Sequence, residues 1–539
     1  MATDHPPDPG LRRLVAELLV VRASGHLADH QRRYPRWELA NAELRELLEL
    51  GVGGVILLGA GAAEVALRCD QLREWAGQPL LLCADVEEGV GQRFEGASWL
   101  VPPLGLGRLH ARAPAEALTL AERYGRCTGQ DARRLGLNWV LAPVCDVNNN
   151  PANPVINVRA WGENPDTVAA LAAAFCRGLQ AEGVLGCAKH FPGHGDTSSD
   201  SHLELPTLPH SRARLERIEL PPFRSAMAAG VEAVMTAHLL LPALDGSRPA
   251  TLSAAVLTDL LRRDLGFEGL VVTDALVMEA ISRHHGAGEA AVLALAAGAD
   301  LVLMPADAHQ ALAGIEAAVL SGRLERAQLE ASAERRRAAL DRVRPAGGDP
   351  RLAPQADGAL EETLVRRTLE TSTGARPRRW EPASHGQGIN LVRLDTALQA
   401  PFLPLGAPAL ATPTAAGLAP CLVDGLGPRL WGDDPAAPLE LGRLGSGPVL
   451  VQLFVRGNPF RGTAGGDEPW PAAIAQLVGA GRLAALAVYG SPYVWEKLRP
   501  LVPAPIPAAY SPGQMPRAQR AVLEALGLGH TGGQEGFTD

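Results

Sequence analysis

The sequence predicts an α/β chain: a (β/α)8 barrel followed by a smaller α/β domain of three-layer sandwich type. Three observations carry this. Eight short apolar, β-branched runs alternate with helix-forming Ala/Leu/Arg/Glu segments between Leu18 and Met304. Asp85, Asp146, Lys189/His190, His238 and Asp274 each stand at or just past the C-terminal end of a different run. A barrel gathers such ends around one mouth, whereas an open doubly wound sheet, the alternative, spreads them along an edge. Finally, Pro345-Ala-Gly-Gly-Asp-Pro350 is turn chemistry, and beyond it the pattern changes.

In order, the runs are Leu18–Val21, Val52–Leu58, Leu80–Ala84, Trp139–Val144, Val184–Ala188, Val231–Thr236, Leu270–Thr273 and Asp300–Met304, the first being the weakest. Continuous apolar runs of this length suit strands covered on both faces. Asp166–Glu182, Arg212–Ala229, Ala254–Leu265 and Ala287–Ala297 are the clearest intervening helices, with Asp166 placed to cap the first of them. A charged helix, Arg323–Arg344, ends the barrel. We expect a catalytic barrel over 1–345, a linker and connecting helix over 346–380, and a C-terminal α/β domain over 381–539. In that last part, residues 376–440 are rich in Pro, Gly and Ala and poorly periodic. Val449–Val455 and Leu483–Tyr489 read as buried strands, and Arg517–Leu526 as a closing helix.

A chain of 539 residues has core enough for two or three domains. Its 59 acidic against 50 basic residues, a formal charge of −9, come without a basic block, which argues against nucleic acid or an anionic membrane as partner. The seven cysteines are scattered and mostly lie in apolar runs, as buried thiols of a reducing compartment do. There is no secretory pattern at the N-terminus, and no run reaches the roughly 18 apolar residues of a membrane span. The expectation is a soluble, cytoplasmic protein, monomeric or weakly self-associating, with no cofactor.

The most informative stretch is Lys189-His-Phe-Pro-Gly-His-Gly-Asp-Thr-Ser-Ser-Asp200-Ser-His202-Leu-Glu-Leu-Pro206. Only Lys189 and Lys497 are lysines in a chain that otherwise uses arginine. A lysine kept beside His190 points to a compact ammonium in a tight polar pocket, where a planar guanidinium does not fit. An aspartate two residues before a histidine can accept from the imidazole, fix its tautomer and leave the other nitrogen as a general acid/base. Three His and two Asp can also serve zinc, but their spacing places them on no common helix face, so we expect no metal. Asp274 ends a buried run in Gly269-Leu-Val-Val-Thr-Asp274, either as a nucleophile or as the cap of the next helix. Asp85, with Arg93 eight residues on, can hold vicinal hydroxyls, or the two can form a salt bridge across their loop. The Asn/Pro loop Asn148–Asp166 offers Arg159 and the face of Trp161, suited to a carbohydrate, or is simply a stable loop. Together these describe a polyhydroxylated substrate, one nucleophilic carboxylate and a non-carboxylate acid/base, which is glycoside hydrolysis with retention.

These residues resemble family 3 of the glycoside hydrolases, most closely its bacterial β-N-acetylhexosaminidase branch. The matching pieces are Asp85-Val-Glu-Glu-Gly, Asn-Pro-Val-Ile…Arg159, Lys189-His-Phe-Pro-Gly-His-Gly with Asp200-Ser-His202, Met235-Thr-Ala-His238, Pro249-Ala-Thr-Leu-Ser253 and Leu265-Gly-Phe-Glu-Gly…Asp274, in family order over residues 14–340. The resemblance implies a TIM-like barrel with Asp274 as nucleophile, His202 as acid/base and Asp200 as its dyad partner. It further implies sugar contacts from Asp85, Arg93, Arg159, Lys189 and His190, and release of β-linked N-acetylglucosamine from oligosaccharides such as peptidoglycan or chitin fragments. The alternatives are a β-glucosidase or β-xylosidase of the same family, or a non-catalytic sugar-binding protein on the same barrel. Departures from the family pattern include Glu88 and Val90 near Asp85, Thr273 before the nucleophile position, Ala275 after it, and Arg159-Ala-Trp for Arg-Ser-Phe. The C-terminal part resembles the family only through Val488-Tyr-Gly-Ser-Pro-Tyr493 and Ala509-Tyr-Ser…Ala521-Val-Leu, and is assigned no catalytic role.

Overall fold

The first eight strands of the computed structural model form one closed parallel ring. The structure describes residues 8–344, 357–372, 387–394, 403, 406–423, 430, 439–456 and 469–528. The strands are β1 (Leu19–Ser24), β2 (Gly54–Leu58), β3 (Leu81–Ala84), β4 (Trp139–Val140), β5 (Cys187–Phe191), β6 (Ala233–Thr236), β7 (Leu270–Val272) and β8 (Val302–Leu303). Five pair in the order β4-β3-β2-β1-β8 and three in the order β5-β6-β7, every pair parallel. Two short seams close the ring. Val140 N donates to Leu185 O (2.9 Å) and Cys187 N to Ala142 O (2.8 Å), joining β4 to β5. Thr273 N donates to Leu301 O (3.0 Å) and Leu301 N to Val271 O (3.1 Å), joining β7 to β8.

The eight expected runs are the eight strands, because Val/Leu/Ile side chains covered on both faces remove the most apolar surface from water. Boundaries shift at several of them: the first strand runs on to Ser24, and the fourth is regular only over Trp139–Val140. The fifth strand continues to Phe191, so Lys189 and His190 belong to the strand itself and not to the loop after it. Helix Pro165–Ala181 starts where its sequence dictates: Asn164 accepts from Thr167 N (3.0 Å), and Pro165 takes the first helical position, where its missing N–H costs nothing. The cap is therefore Asn164, and Asp166 sits in the first turn, favourably placed against the helix dipole.

The floor of the barrel is pinned by buried ions. Arg336, on helix Arg326–Leu340, donates to Gly53 O (2.8 Å) and Pro79 O (2.7 Å) and pairs with Glu17 (3.2 Å), tying the last helix to the first strands. At the start of β8, Asp300 accepts from Arg262 (2.5 Å), Arg335 (2.9 Å), Ser332 (2.8 Å) and Val271 N (2.8 Å). A carboxylate this buried persists because every lone pair is taken.

Contacts divide the chain into units Met1–Leu360 and Glu361–Asp539, a split inside helix Gly358–Thr368. Most of the expected linker over 346–380 lies outside the described residues, as does much of 376–440. The second unit holds β9 (Glu370–Thr371), β10 (Gly388–Arg393), β11 (Leu418–Val423), β12 (Val449–Val455), β13 (Leu483–Gly490) and β14 (Ala508–Ser511), in the order β11-β10-β12-β13-β14-β9. All pair parallel except β9. One sheet face buries Val451, Leu453 and Leu486 against helix residues Trp470, Ile474 and Trp495. The other buries Leu450, Phe454 and Ala487 against Leu410, Val522 and Leu523. Helices on both faces make the three layers. Among the described residues no helix is long and apolar enough to cross a membrane, and all seven cysteines are free thiols.

Candidate active site

The strand ends bring together residues from Asp85 to Asp274, 189 positions apart in sequence. Lys189, in β5, has a side chain only 1% exposed, and its Nζ lies 2.7 Å from Asp85 Oδ1 and 2.6 Å from Glu87 Oε1. Glu87 in turn receives Arg159 bidentately, Nε at 2.7 Å and Nη2 at 2.8 Å. Burial alone would raise the Glu87 pKa, but the cations of Arg159 and Lys189 hold it well below the ordinary carboxylate range. Desolvation works against the Lys189 charge as well, yet Asp85 and Glu87 raise its pKa above the usual ammonium value. Two cations and two carboxylates thus neutralise one another. Asp85 is the open member, its side chain 37% exposed, while Glu87 is closed over. The Arg93 Nε donates to the Asp85 main-chain oxygen (3.0 Å), so in place of the salt bridge weighed as the alternative the two residues share a backbone contact.

The expected aromatic face of the Asn/Pro loop is not available. Trp161 is buried, packed edge-on to Tyr124 (5.4 Å between centroids) and against Phe175 (5.5 Å). The loop acts as a brace: Asn153 donates to His194 O and Gly195 O, both at 2.9 Å, while its side-chain oxygen accepts from Val155 N and Ile156 N. The brace is tight at Gly195, where a Cβ would stand 1.8 Å from Val147 O. Glu88, where the family favours glycine, is buried and accepts from Trp99 Nε1 (3.2 Å).

Asp146 is fully buried and organises two imidazoles. Its Oδ1 accepts from His190 N (3.2 Å) and His194 N (2.6 Å), and its Oδ2 lies 2.8 Å from His190 Nδ1. A carboxylate only accepts, so His190 carries its proton on Nδ1 and presents Nε2 as an acceptor. His194 is spent internally, Nδ1 on Thr197 Oγ1 (2.8 Å) and Nε2 on Ser201 Oγ (3.0 Å), and burial pushes its pKa down to about 4.

Asp200 Oδ1 accepts from both the amide and the Nδ1 of His202, each at 2.8 Å, which leaves Nε2 as the basic nitrogen of the neutral ring. Asp200 is buried, while the His202 side chain is 20% exposed. The neck of this loop is clasped by His210 Nε2 and Arg214 Nη2, at 2.8 and 3.1 Å from Asp196 Oδ2.

Asp274 follows β7. The next helix, Glu279–Ser282, has no side-chain cap, so Asp274 is not there as one. Its Oδ1 accepts from Ala275 N (2.7 Å). Burial would raise its pKa, but the imidazoles of His238, His190 and His202 lower it to about 2. His238, buried, faces Thr251 Oγ1 with Nδ1 (2.8 Å) and Ala275 O with Nε2 (3.0 Å); a carbonyl only accepts, so Nε2 bears the proton.

Glu87 pairs with Arg159 and Lys189, Asp146 with His190, and His238 acts on Asp274, yet sequence reasoning gave none of the three a role. Strand-end position flagged Asp146 and His238; nothing local flagged Glu87. Among the described residues no group of three or more His, Cys, Asp or Glu is arranged to hold a metal ion. The arrangement supplies an ionised carboxylate, an acid-paired imidazole and a polar clamp with one open carboxylate.

The sequence patterns of two families match the chain: "Glycosyl hydrolase family 3 N terminal domain" over residues 11–338 and "Bacterial Glycosyl hydrolase family 3 C-terminal domain" over 381–527. A β-hexosaminidase A of Pseudoalteromonas piscicida is 38% identical over 286 residues, 49% of this chain and 47% of that protein. A β-hexosaminidase of Stenotrophomonas maltophilia (strain K279a) is 37% identical over 271 residues, 50% of this chain and 80% of that one. The chain thus spans about half the length of the first relative, 47%. A solved glycoside hydrolase family 3 β-N-acetylglucosaminidase from Paenibacillus sp. str. FPU-7 superposes with a TM-score of 0.76 at 31% identity, covering 96% of this chain and 97% of that one.

Proposed function

The chain belongs to glycosyl hydrolase family 3, and on that premise we propose that it is a retaining, exo-acting β-N-acetylhexosaminidase. It releases β-linked N-acetylglucosamine from oligosaccharides such as peptidoglycan or chitin fragments. The observation that carries the reading is the low pKa of Asp274, about 2, set by imidazoles that include the Asp200-paired His202. An ionised carboxylate and a protonatable ring within each other's field are the two partners of a double displacement.

In the first step an Asp274 oxygen bonds to C1 of the sugar while His202 Nε2–H protonates the departing glycosidic oxygen. In the second, neutral His202 takes a proton from water, the water oxygen bonds to C1, and the Asp274 ester breaks. Asp200 keeps the ring in the required tautomer and stabilises its cation before the first step and after the second. Asp85, open to solvent and anchored by Lys189, accepts from sugar hydroxyls, with His190 Nε2 as a further acceptor. Arg93 and Arg159 complete the contacts, Arg159 chiefly by fixing Glu87. The names of the relatives support an N-acetylated hexose as the sugar released.

The test is turnover of an aryl N-acetyl-β-glucosaminide beside an aryl β-glucoside, with the first-formed anomer followed by NMR. Preference for the acetamido sugar and initial release of the β-anomer are expected. Faster glucoside turnover, or an initial α-anomer, overturns the reading.

A further inference from the structure

Met235-Thr236-Ala-His238 closes β6, and Pro249-Ala-Thr251-Leu-Ser253 forms a turn on the loop that follows it. Neither motif supplies a group that reaches the sugar in the mechanism above, yet both are bonded to the main chain around Asp274. The parallel ladder between β6 and β7 ends at Met235 and Val272. Beyond it, side chains take over the link. Asp274 N donates to Thr236 Oγ1 (3.3 Å), which stands 2.8 Å from Thr251 Oγ1. Thr251 Oγ1 is 2.8 Å from His238 Nδ1, and His238 Nε2 donates to Ala275 O (3.0 Å). Three fully buried side chains thus run from the amide of Asp274 to the carbonyl of Ala275. Inside that span the Ala275 amide holds Asp274 Oδ1 (2.7 Å).

The chain has one direction. A main-chain N–H only donates, so Thr236 accepts from Asp274 and passes its own hydrogen to Thr251. The His238 proton is on Nε2, and burial disfavours a second one. Nδ1 of the neutral ring is therefore an acceptor, and Thr251 donates to it. If Thr251 gave its hydrogen to Ala237 O (3.0 Å) instead, Nδ1 would need a proton of its own and the buried ring a full charge. Donors and acceptors alternate without a break through amide, two hydroxyls, imidazole and carbonyl, so each bond polarises the next. The turn bearing Thr251 is fixed from outside as well. Ala250 N donates to Leu239 O (2.7 Å) and Ser253 Oγ to Asp245 Oδ2 (2.8 Å).

We propose that Thr236, Thr251 and His238 are positioning residues that hold the main chain of Asp274 and Ala275, so that the Ala275 amide fixes Oδ1 and the other carboxylate oxygen is aimed at C1. The proposal rests on the reading of Asp274 as nucleophile and deepens it. Attack at carbon needs aligned atoms, and a misplacement of about 1 Å costs about a hundredfold in rate. Asp274 stands past the last ladder pair of β6 and β7, where main-chain pairing no longer sets its place on that side.

The experiment measures kcat/KM for an aryl N-acetyl-β-glucosaminide, and the inhibition constant of free N-acetylglucosamine, in Thr251→Val, Thr251→Ser, Thr236→Val and the double valine variant. Urea unfolding gives the folded fraction of each. Valine keeps the shape of threonine and removes the hydroxyl. Thr251→Val should lower kcat/KM by about thirtyfold and leave the inhibition constant within about twofold, because the sugar still binds while the nucleophile is misaimed. Thr251→Ser, which keeps the hydroxyl, should stay within about threefold of wild type. The double variant should lose about as much as either valine alone, since one break opens the chain. Ser253→Ala loosens the same turn from outside the chain and should leave kcat/KM within about twofold. Thr236→Val carries the same expectation should Thr251→Val fail to fold. Wild-type kcat/KM in the folded valine variants, losses that multiply in the pair, or a serine variant as poor as the valine one overturn the proposal. An equal loss in Ser253→Ala does so too, by assigning the effect to the turn as a whole. Near-wild-type turnover in Asp274→Asn would instead sink the nucleophile reading itself, so the two failures are distinguishable.

Discussion

Glu87 grips Arg159 through both carboxylate oxygens, at 2.7 and 2.8 Å, and the Lys189 ammonium closes on one of those oxygens at 2.6 Å. This buried acid lets two cations sit beside the proposed sugar site without mutual repulsion. Removing one partner of such a cluster leaves charge uncompensated in a poorly solvated place, which costs about 3–5 kcal/mol. Glu87→Gln should therefore lower the stability of the barrel by that order in urea unfolding. Asp85→Asn, at the open member, should cost far less stability and act mainly as a rise in KM.

Asp274→Asn should reduce turnover by about a thousandfold or more, because the amide cannot form the ester to C1. The far-UV circular dichroism spectrum should be unchanged, since the Asp274 side chain caps no helix. Near-wild-type turnover would remove the nucleophile assignment.

His202→Ala should separate substrates by leaving group. Aryl glycosides with acidic phenols need little protonation and should lose about tenfold or less, whereas disaccharides should lose about a hundredfold or more. Asp200→Asn should follow the same pattern more mildly, because the amide no longer dictates which ring nitrogen carries the proton. Equal losses on both substrate types would argue against proton donation from position 202.

His194 gives the chain a built-in acid sensitivity. Its pKa is about 4 in the fold, below the ordinary imidazole value of 6.5, so between those values the unfolded chain binds more protons. Its contribution is neutral above about pH 6.5 and turns destabilising as pH falls, reaching on the order of 3 kcal/mol near pH 4. Burial lowers the pKa of His238 as well, in the same sense. Urea unfolding of wild type and His194→Gln at about pH 7 and about pH 5 should show a smaller pH dependence in the variant. Parallel pH dependences would mean that other groups carry the effect.

The fold was legible because strands covered on both faces leave continuous apolar runs, and eight such runs with polar residues at their ends admit few arrangements. The weak first run is a strand because β2 and β8 flank it, a tertiary fact absent from its own four residues. Asp200 and His202 could be paired on spacing alone, since the contact is local. Glu87 could not: its partners lie 72 and 102 positions away, and nothing near it in sequence says that its carboxylate turns between them. Trp161 misled for the converse reason. An aromatic in an Asn/Pro loop reads as exposed until Tyr124 and Phe175, from two different helices, are seen to enclose it.

The clasp of His210 and Arg214 on Asp196 gathers the neck of a loop whose ends are fourteen residues apart, and the ring at 202 rides near its middle. Position 274, by contrast, stands two residues past the end of a barrel strand. In the mechanism proposed above, bond-making to carbon and shuttling of hydrogen reside on differently held parts, one close behind a strand and the other slung from a clasped loop. The slung part can be re-tailored by exchanging the segment inside the clasp, with the anchoring groups at positions 85, 87, 159 and 189 left as they are.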